Sequence, residues 1–231
     1  MARILVVEDD TEINTAFQLA LGQRGHRATG VRLGSEGVKT ALGSDPPELL
    51  ILDLMLPDID GLEVCRRIRE HSMLPIIMMT ARGEDADVIL GLEAGADDYV
   101  VKPVEPALLE TRIRAVLRRT TPDTNRPGTT DVLTSGSLSI DRTALKVTKG
   151  GEDVPLSPTE LRLFLQFSDR PGVVLSREQL LRTVWGIEYL LESRMVDATI
   201  QRLRGKIEDD ASQPRHIVTI RGFGYRFDRQ P

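Results

Sequence analysis

Five residues of the types that handle phosphoryl groups each stand at the end of a short apolar run. Glu8 and Asp9 follow Ile4–Val7, Asp53 follows Leu49–Leu52, Thr80 follows Ile76–Met79, and Lys102 follows Tyr99–Val101. Three carboxylates gathered in one place repel each other and need a cation. Hard oxygen donors with open positions suit Mg2+, which binds through a few carboxylates and a phosphate. An aspartate can act as nucleophile toward a phosphoryl group. Lysine supplies a point charge for a phosphoryl oxygen, and threonine can donate a hydrogen bond to another. The set is sufficient to form an aspartyl phosphate, a reaction governed by positioning and charge neutralisation.

The elements that must position these residues can be read from periodicity. The apolar runs, with a weaker one at Ala28–Val31, suit strands buried on both faces of a parallel sheet. Between them lie helical spacings: Ile13, Ala16, Phe17, Ala20 and Leu21 in 11–22; Leu62, Cys65 and Ile68 in 60–71; and Leu108, Leu109, Ile113, Val116 and Leu117 in 105–119. Strand and helix alternate five times, which predicts a doubly wound α/β domain with right-handed connections. In an open parallel sheet ligands bind beyond the carboxyl ends of the strands. All five polar residues are therefore expected to converge on one edge.

The chain has 231 residues, enough for two small domains. Its composition, 40% hydrophobic and 28% charged, is globular rather than disordered. No apolar run approaches the ~18 residues of a membrane span, and the apolar stretch after Met1 is too short for a signal peptide. The single cysteine, Cys65, excludes an internal disulfide and a thiolate metal pair. These features suggest a reduced, cytoplasmic protein. The net charge of −5 is uneven: residues 1–120 hold 14 Lys and Arg against 20 Asp and Glu, and residues 121–231 hold 16 against 15. Two domains with different partners are expected.

The stretch 120–131 has no large apolar residue and contains Pro122, Pro127 and Gly128, which reads as a flexible linker. It separates a first domain at 1–119 from a second at 132–231. Strand-like segments follow at Ser137–Ile140 and Leu145–Thr148, with Gly150-Gly151 as a hairpin turn. Ser157-Pro158-Thr159-Glu160 opens a helix as N-cap, first residue and capping-box partner. A second helix starts at Ser176 and runs toward Trp185; a third covers about 193–208. Ile217–Ile220, a Gly222/Gly224 turn and Tyr225–Phe227 form a closing hairpin. Three helices flanked by hairpins describe an α+β winged helix-turn-helix. In the third helix Val196, Ile200, Leu203 and Ile207 form a buried stripe, leaving Arg194, Thr199, Gln201, Arg202 and Lys206 off it. Arg can read guanine and Gln adenine in the major groove, and Arg221 in the hairpin is placed for the minor groove.

Leu5-Val6-Val7-Glu8-Asp9-Asp10, Leu52-Asp53 through Asp60-Gly61, Thr80-Ala81-Arg82 and Gly91 through Lys102-Pro103 resemble the receiver domain of two-component response regulators. The second half resembles the winged-helix output domain of the OmpR/PhoB subfamily, actinobacterial members above all. The resemblance implies a flavodoxin-like five-stranded sheet of order 2-1-3-4-5. It implies that a histidine kinase phosphorylates Asp53, that Glu8, Asp9, Asp53 and the Met55 carbonyl hold Mg2+, and that Lys102 binds a phosphoryl oxygen through a cis Lys102-Pro103 turn. Thr80 and Tyr99 would be the switch residues. It further implies a phosphorylation-dependent homodimer through the fourth helix, fifth strand and fifth helix. There Glu93, Asp97, Asp98, Arg112, Arg114 and Arg119 would form cross-subunit ion pairs. Val88 and Leu108 depart from the family's ionic pattern, and a less salt-sensitive dimer is expected from them. Val104 also replaces the Phe common after Lys-Pro. Trp185, Arg194, Thr199, Gln201, Arg202, Arg204, Lys206, Arg221 and Tyr225 would contact double-stranded DNA bearing tandem direct repeats. RNA polymerase is a further partner and a membrane is not.

Plainer readings stand beside these. Asp53 could cap a strand end, Tyr99 could be core, and Asp10 could be a helix N-cap or a metal neighbour. Cys65 reads as core, His26, His71 and His216 as scattered, and Trp185 as part of the core edge rather than a base-stacking platform. A phosphohydrolase would need a general acid two residues after the nucleophile, and Met55 cannot transfer a proton. The chain is thus expected to act on no phosphoryl group but its own, shed by slow autodephosphorylation. A constitutive DNA-binding protein with a degenerate receiver conflicts with the complete set of acidic, Thr and Lys residues.

Overall fold

The structure is a computed structural model that describes residues 1–80, 90–118, 131–186 and 193–231. Val88, Arg119 and all of the 120–131 stretch but Asp131 lie outside the described residues. The chain divides into two compact units, Met1–Arg118 and Arg119–Pro231.

The first unit holds five parallel strands, β1 (Arg3–Val7), β2 (Arg27–Val31), β3 (Leu49–Asp53), β4 (Ile76–Thr80) and β5 (Asp98–Val101), in the order β2-β1-β3-β4-β5. The helices are α1 (Thr11–Gln23), α2 (Gly34–Ala41), α3 (Gly61–Arg69), α4 (helical over 90–93) and α5 (Pro106–Arg118). Alternate strand residues feed two cores, as the two-residue repeat of a strand requires. Ile4, Val6, Ile51, Ile77 and Met79 pack with Phe17 and Leu21 of α1 and Leu109, Ile113 and Val116 of α5. Leu5, Val7, Leu50, Leu52, Ile76 and Met78 pack on the other face with Val64, Cys65 and Ile68 of α3. Every residue of β3 and β4 is buried, which explains their unbroken apolar spelling.

Two helices differ from the sequence reading. The buried positions of α1 are Asn14, Phe17 and Leu21, while Ile13 and Ala16 face solvent. Phe17 and Leu21 lie on the expected face, but its third buried position is taken by the polar Asn14 rather than by Ile13 or Ala16. Helix α2 carries Gly34 and Gly37 and has no periodic apolar signature. Its glycines are needed for packing: a Cβ on Gly37 would lie 2.8 Å from a Val7 methyl, and one on Gly34 2.7 Å from Ile59 and Val64.

The second unit opens with an antiparallel sheet, β6 (Val132–Ser135), β7 (Leu138–Asp141), β8 (Lys146–Lys149) and β9 (Glu152–Asp153). Leu145 lies in the turn before β8 rather than in the strand, with a left-handed φ of 54°. Helix α6 (Pro158–Ser168) has the expected capping box between Ser157 and Glu160. A second one, between Ser176 and Gln179, starts α7 (Arg177–Leu180), which continues as a π-helical turn over Leu181–Trp185. Helix α8 spans Ser193–Ile207. Strands β10 (Val174–Leu175), β11 (Ile217–Ile220) and β12 (Gly224–Phe227) form a sheet of order β10-β12-β11. The two-residue strands β9 and β10 carry too few residues for a pattern of their own. The result is an α/β receiver-type unit followed by a winged helix.

Candidate functional site

The carboxyl edge of the parallel sheet brings the five residues together. Parallel register sets their depth: Val7 pairs with Leu52, Asp53 with Met79 and Thr80 with Val101. Glu8, Asp53 and Thr80 are buried and Asp9 is half-buried. One carboxylate oxygen each from Glu8, Asp9 and Asp53 lies within 4.8 Å of the others. The Lys102 Nζ bridges the cluster, donating to Glu8 Oε2 at 2.6 Å and Asp53 Oδ2 at 2.9 Å. The Lys102-Pro103 bond that delivers it is cis.

The electrostatics follow from this crowding. Burial pushes the Glu8 carboxyl above its ordinary value, the Asp53 charge adds to that, and Lys102 opposes it. Burial alone would lower the Lys102 ammonium; its hydrogen bonds with Glu8 and Asp53 outweigh that and hold it above the usual range. A charged lysine thus compensates part of a buried carboxylate excess. The remainder favours a hard cation, and the all-oxygen donor set fits Mg2+. Met55 follows Asp53 with its side chain exposed and its N–H 3.4 Å from Asp53 Oδ1. Tyr99 is half-buried against the α3-side core.

Three residues that position this edge were not singled out from the sequence. Asn14 Nδ2 donates to the Glu8 and Val31 carbonyls, both at 2.9 Å, and ties α1 to the ends of β1 and β2. Asp10 is the N-cap of α1: its Oδ1 accepts from the Glu12 and Ile13 N–H groups. Asp58 accepts from the Gly34 and Ser35 N–H groups at 2.7 and 2.9 Å, docking the loop after β3 onto the start of α2. Hydrogen bonding with Ser35 holds its carboxyl well below the usual carboxylate range. Gly61 approaches the end of β3 closely: a Cβ there would sit 2.2 Å from the Asp53 carbonyl oxygen. A polar residue in phase with Phe17 was the available signal for Asn14.

The residues assigned to cross-subunit ion pairs behave differently. Asp97 is buried and accepts from Arg69 at 2.7 Å and from the Ile76 N–H at 3.1 Å. Asp98 is buried and pairs with Arg112 of its own chain at 3.2 Å. A buried carboxylate needs a nearby partner, and here both find it internally. Arg114 pairs with Glu110 one helical turn away at 2.5 Å. Glu93 is exposed, and so are the apolar residues Leu90, Val101 and Leu108 of α4, β5 and α5.

In the winged helix the predicted stripe of α8, Val196, Ile200, Leu203 and Ile207, is buried, but it is wider than expected. Four residues assigned to DNA are core. Trp185 is 1% exposed, held in the π-helical turn among Leu180, Leu181 and Val184. Thr199 is fully buried and donates to the Met195 carbonyl. Arg204 donates to the Ile217 carbonyl at 2.9 and 2.6 Å and to Thr219 at 2.9 Å, pinning β11 to α8. The Tyr225 hydroxyl donates to Asp197 at 2.7 Å, and its ring lies between the Arg177 and Arg204 guanidinium groups. Burial first, and then the hydrogen bond and charge of Asp197, push the Tyr225 hydroxyl up to about 12 against the opposing charges of Arg177 and Arg204. Lys206 donates to Glu160 at 2.6 Å, and the Arg202 guanidinium stands 3.6 Å from the same carboxylate with its side chain 11% exposed. The capping glutamate of α6 therefore also anchors α8. Arg194, Gln201 and Arg221 are exposed.

A doubly wound domain with an acidic carboxyl edge and a bridging lysine, followed by a winged helix, defines a receiver joined to a DNA-binding output unit. Comparison with known proteins agrees. Residues 4–114 match the family of response regulator receiver domains, and residues 151–227 match the C-terminal family of transcriptional regulatory proteins. The chain is 55% identical over 228 residues to the transcriptional regulatory protein AfsQ1 of Streptomyces coelicolor, covering 99% of both chains. It is 41% identical to the DNA-binding response regulator MtrA of Mycolicibacterium smegmatis, over 97% of this chain and 96% of that one. Among solved structures, a RitR mutant superposes with a TM-score of 0.75 at 29% identity, over 99% of this chain and 100% of that one. The Thermotoga maritima OmpR/PhoB homologue DrrB is 35% identical with a TM-score of 0.51, over 99% of both. The chain belongs to the OmpR/PhoB response regulators and is a transcription regulator with a receiver and a DNA-binding domain. Among the described residues no helix is long and apolar enough to cross a membrane.

Proposed function

We propose that Asp53 accepts a phosphoryl group from the phosphohistidine of a sensor kinase, and that this controls DNA binding by the second unit. The observation that carries the reading is the gathering of the Glu8, Asp9 and Asp53 carboxylates within 4.8 Å under one lysine. An Asp53 oxygen attacks phosphorus, the bond from phosphorus to the kinase imidazole nitrogen breaks, and an acyl phosphate forms. Lys102 leaves the Asp53 carboxylate and pairs with a phosphoryl oxygen. Thr80, at the end of β4, donates its hydroxyl to another. Glu8, Asp9, Asp53 and the Met55 carbonyl would hold Mg2+, which supplies neutralising charge for the phosphoryl oxygens.

Thr80 and Tyr99, on adjacent strands, then carry the change to α4, β5 and α5, shifting a pre-existing equilibrium. That face forms a homodimer, and two output units occupy tandem direct repeats on double-stranded DNA. The chain turns over no phosphoryl group but its own and works in the cytoplasm, with RNA polymerase as a further partner. The test is intact-protein mass after incubation with acetyl phosphate and Mg2+. The expected result is a gain of one phosphoryl group, absent in Asp53→Asn and with a chelator. No gain from a folded sample would replace the phosphorylation switch with constitutive DNA binding.

A further inference from the structure

The closing hairpin carries an aromatic side chain that the DNA-contact assignment left out. Phe223 is 72% exposed, in a chain whose other four phenylalanines are all buried. It sits at the tip between Gly222 and Gly224, whose φ angles of 80° and 139° turn the chain tightly. Its N–H closes the turn on the Ile220 carbonyl at 2.9 Å. Exposing a phenylalanine this far forfeits its burial energy, so the position calls for a use.

The base of the hairpin is held rigidly. Arg204 of α8 grips the Ile217 carbonyl and Thr219 on β11. Tyr225 on β12 is fixed to Asp197 of α8. Gly224 lies so close to β10 that a Cβ there would be 2.1 Å from the Leu175 carbonyl oxygen. The tip, in contrast, presents exposed Arg221 and Phe223 on either side of Gly222. A cation beside an apolar ring on a braced hairpin matches how proteins enter the minor groove: the cation follows its negative potential and the apolar group wedges at a base step. A protein partner fits less well. One aromatic ring buries about 200 Å² at most, far below the roughly 1,200 Å² of a stable interface.

We propose that Phe223 is a specificity-determining residue that wedges against a flexible pyrimidine–purine step in the minor groove, next to the site of Arg221. The proposal rests on DNA binding by this unit. It adds a preference for deformable TA or CA steps at a position that no base-reading side chain touches.

The test uses the full-length chain and a duplex that the wild-type chain enriches from a random pool, with 2-aminopurine walked through the sequence flanking the contacts of α8. Wild-type binding is expected to brighten 2-aminopurine at one pyrimidine–purine step. Phe223→Ala should abolish the brightening and weaken binding about tenfold without changing the salt slope. Phe223→Leu should keep the brightening, and Arg221→Ala should reduce the salt slope by about one. Unchanged affinity of Phe223→Ala together with no brightened step in the wild type would overturn the wedge. A loss confined to self-association of the chain would overturn it as well. Failure of the wild type to enrich any duplex would overturn DNA binding itself, an outcome distinct from both.

Discussion

Lys102 is the only cation hydrogen-bonded to both Glu8 and Asp53 among the described residues, and its removal tests the charge balance of the site. Lys102→Ala leaves two adjacent buried carboxylates uncompensated. Breaking a buried pair in this way should cost about 3 kcal/mol in the absence of divalent ions. Mg2+ should then raise the melting temperature of the variant more than that of the wild type, as thermal denaturation with and without Mg2+ would report. An equal response in both would mean the carboxylates do not share a cation site. The five residues of this edge were legible in the sequence because residue type and strand-end position both pointed to them. The roles of Thr199 and Arg204 were not, since a polar side chain on a helix does not announce its partner. Arg204 could face phosphate or backbone carbonyl with equal chemistry; the nearness of β11 decides it.

At the scale of elements, the approach of α3 to β3 fixes where Asp53 can be. Gly61 is the first residue of α3, and Ala would gain up to about 1 kcal/mol of helix propensity there. A Cβ 2.2 Å from the Asp53 carbonyl and 2.8 Å from the Leu54 Cα meets backbone, which cannot swing aside. Overpacking of this kind costs about 1–3 kcal/mol. Gly61→Ala should therefore lower stability in urea titration and slow acetyl phosphate labelling of Asp53; a stabilised variant would show that the contact is loose. The same logic explains which elements the sequence revealed. β3 and β4 were plain because both faces are buried, whereas α2 was hidden because its glycines serve close packing instead of periodicity. In the winged helix, His216 precedes β11, where Ser135 approaches its Nδ1 at 3.3 Å and its ring stacks on Phe227. Burial lowers it from 6.5, against the opposing charges of Glu208 and Asp209, with Lys149 lowering it further. Below about pH 6.5 the unfolded chain takes up a proton that the folded chain resists, so stability falls as pH falls. Melting curves between pH 7 and 5 should show this loss, and His216→Gln should flatten it; parallel pH profiles would refute the assignment.

For the whole molecule, the net negative charge of the first half disfavours attraction to DNA phosphates, which suits the second unit to that role. On the proposed function, pairing two output units on adjacent repeats would raise apparent affinity through effective concentration. Asp97 and Asp98 are already neutralised within their own chain, and Leu90, Val101 and Leu108 are the exposed apolar groups of α4, β5 and α5. The phosphorylated dimer should accordingly weaken less than about threefold between 50 and 500 mM salt, because apolar contact is not screened as charge is. Sedimentation equilibrium would measure this, and a steep loss would return the interface to ion pairs. A receiver unit followed by a DNA-binding unit was readable from patterning and motif order. Sequence spacing does not distinguish a partner in the same chain from one in another, and within this chain Asp97 and Asp98 pair with Arg69 and Arg112.

The most direct test of the switch is fluorescence anisotropy of the full-length chain on a selected tandem-repeat duplex, before and after acetyl phosphate and Mg2+. Kd should fall at least about tenfold for the wild type and stay unchanged for Asp53→Asn. A wild-type Kd that does not move although the protein mass shows one added phosphoryl group would contradict the switch, as would equal tightening of Asp53→Asn.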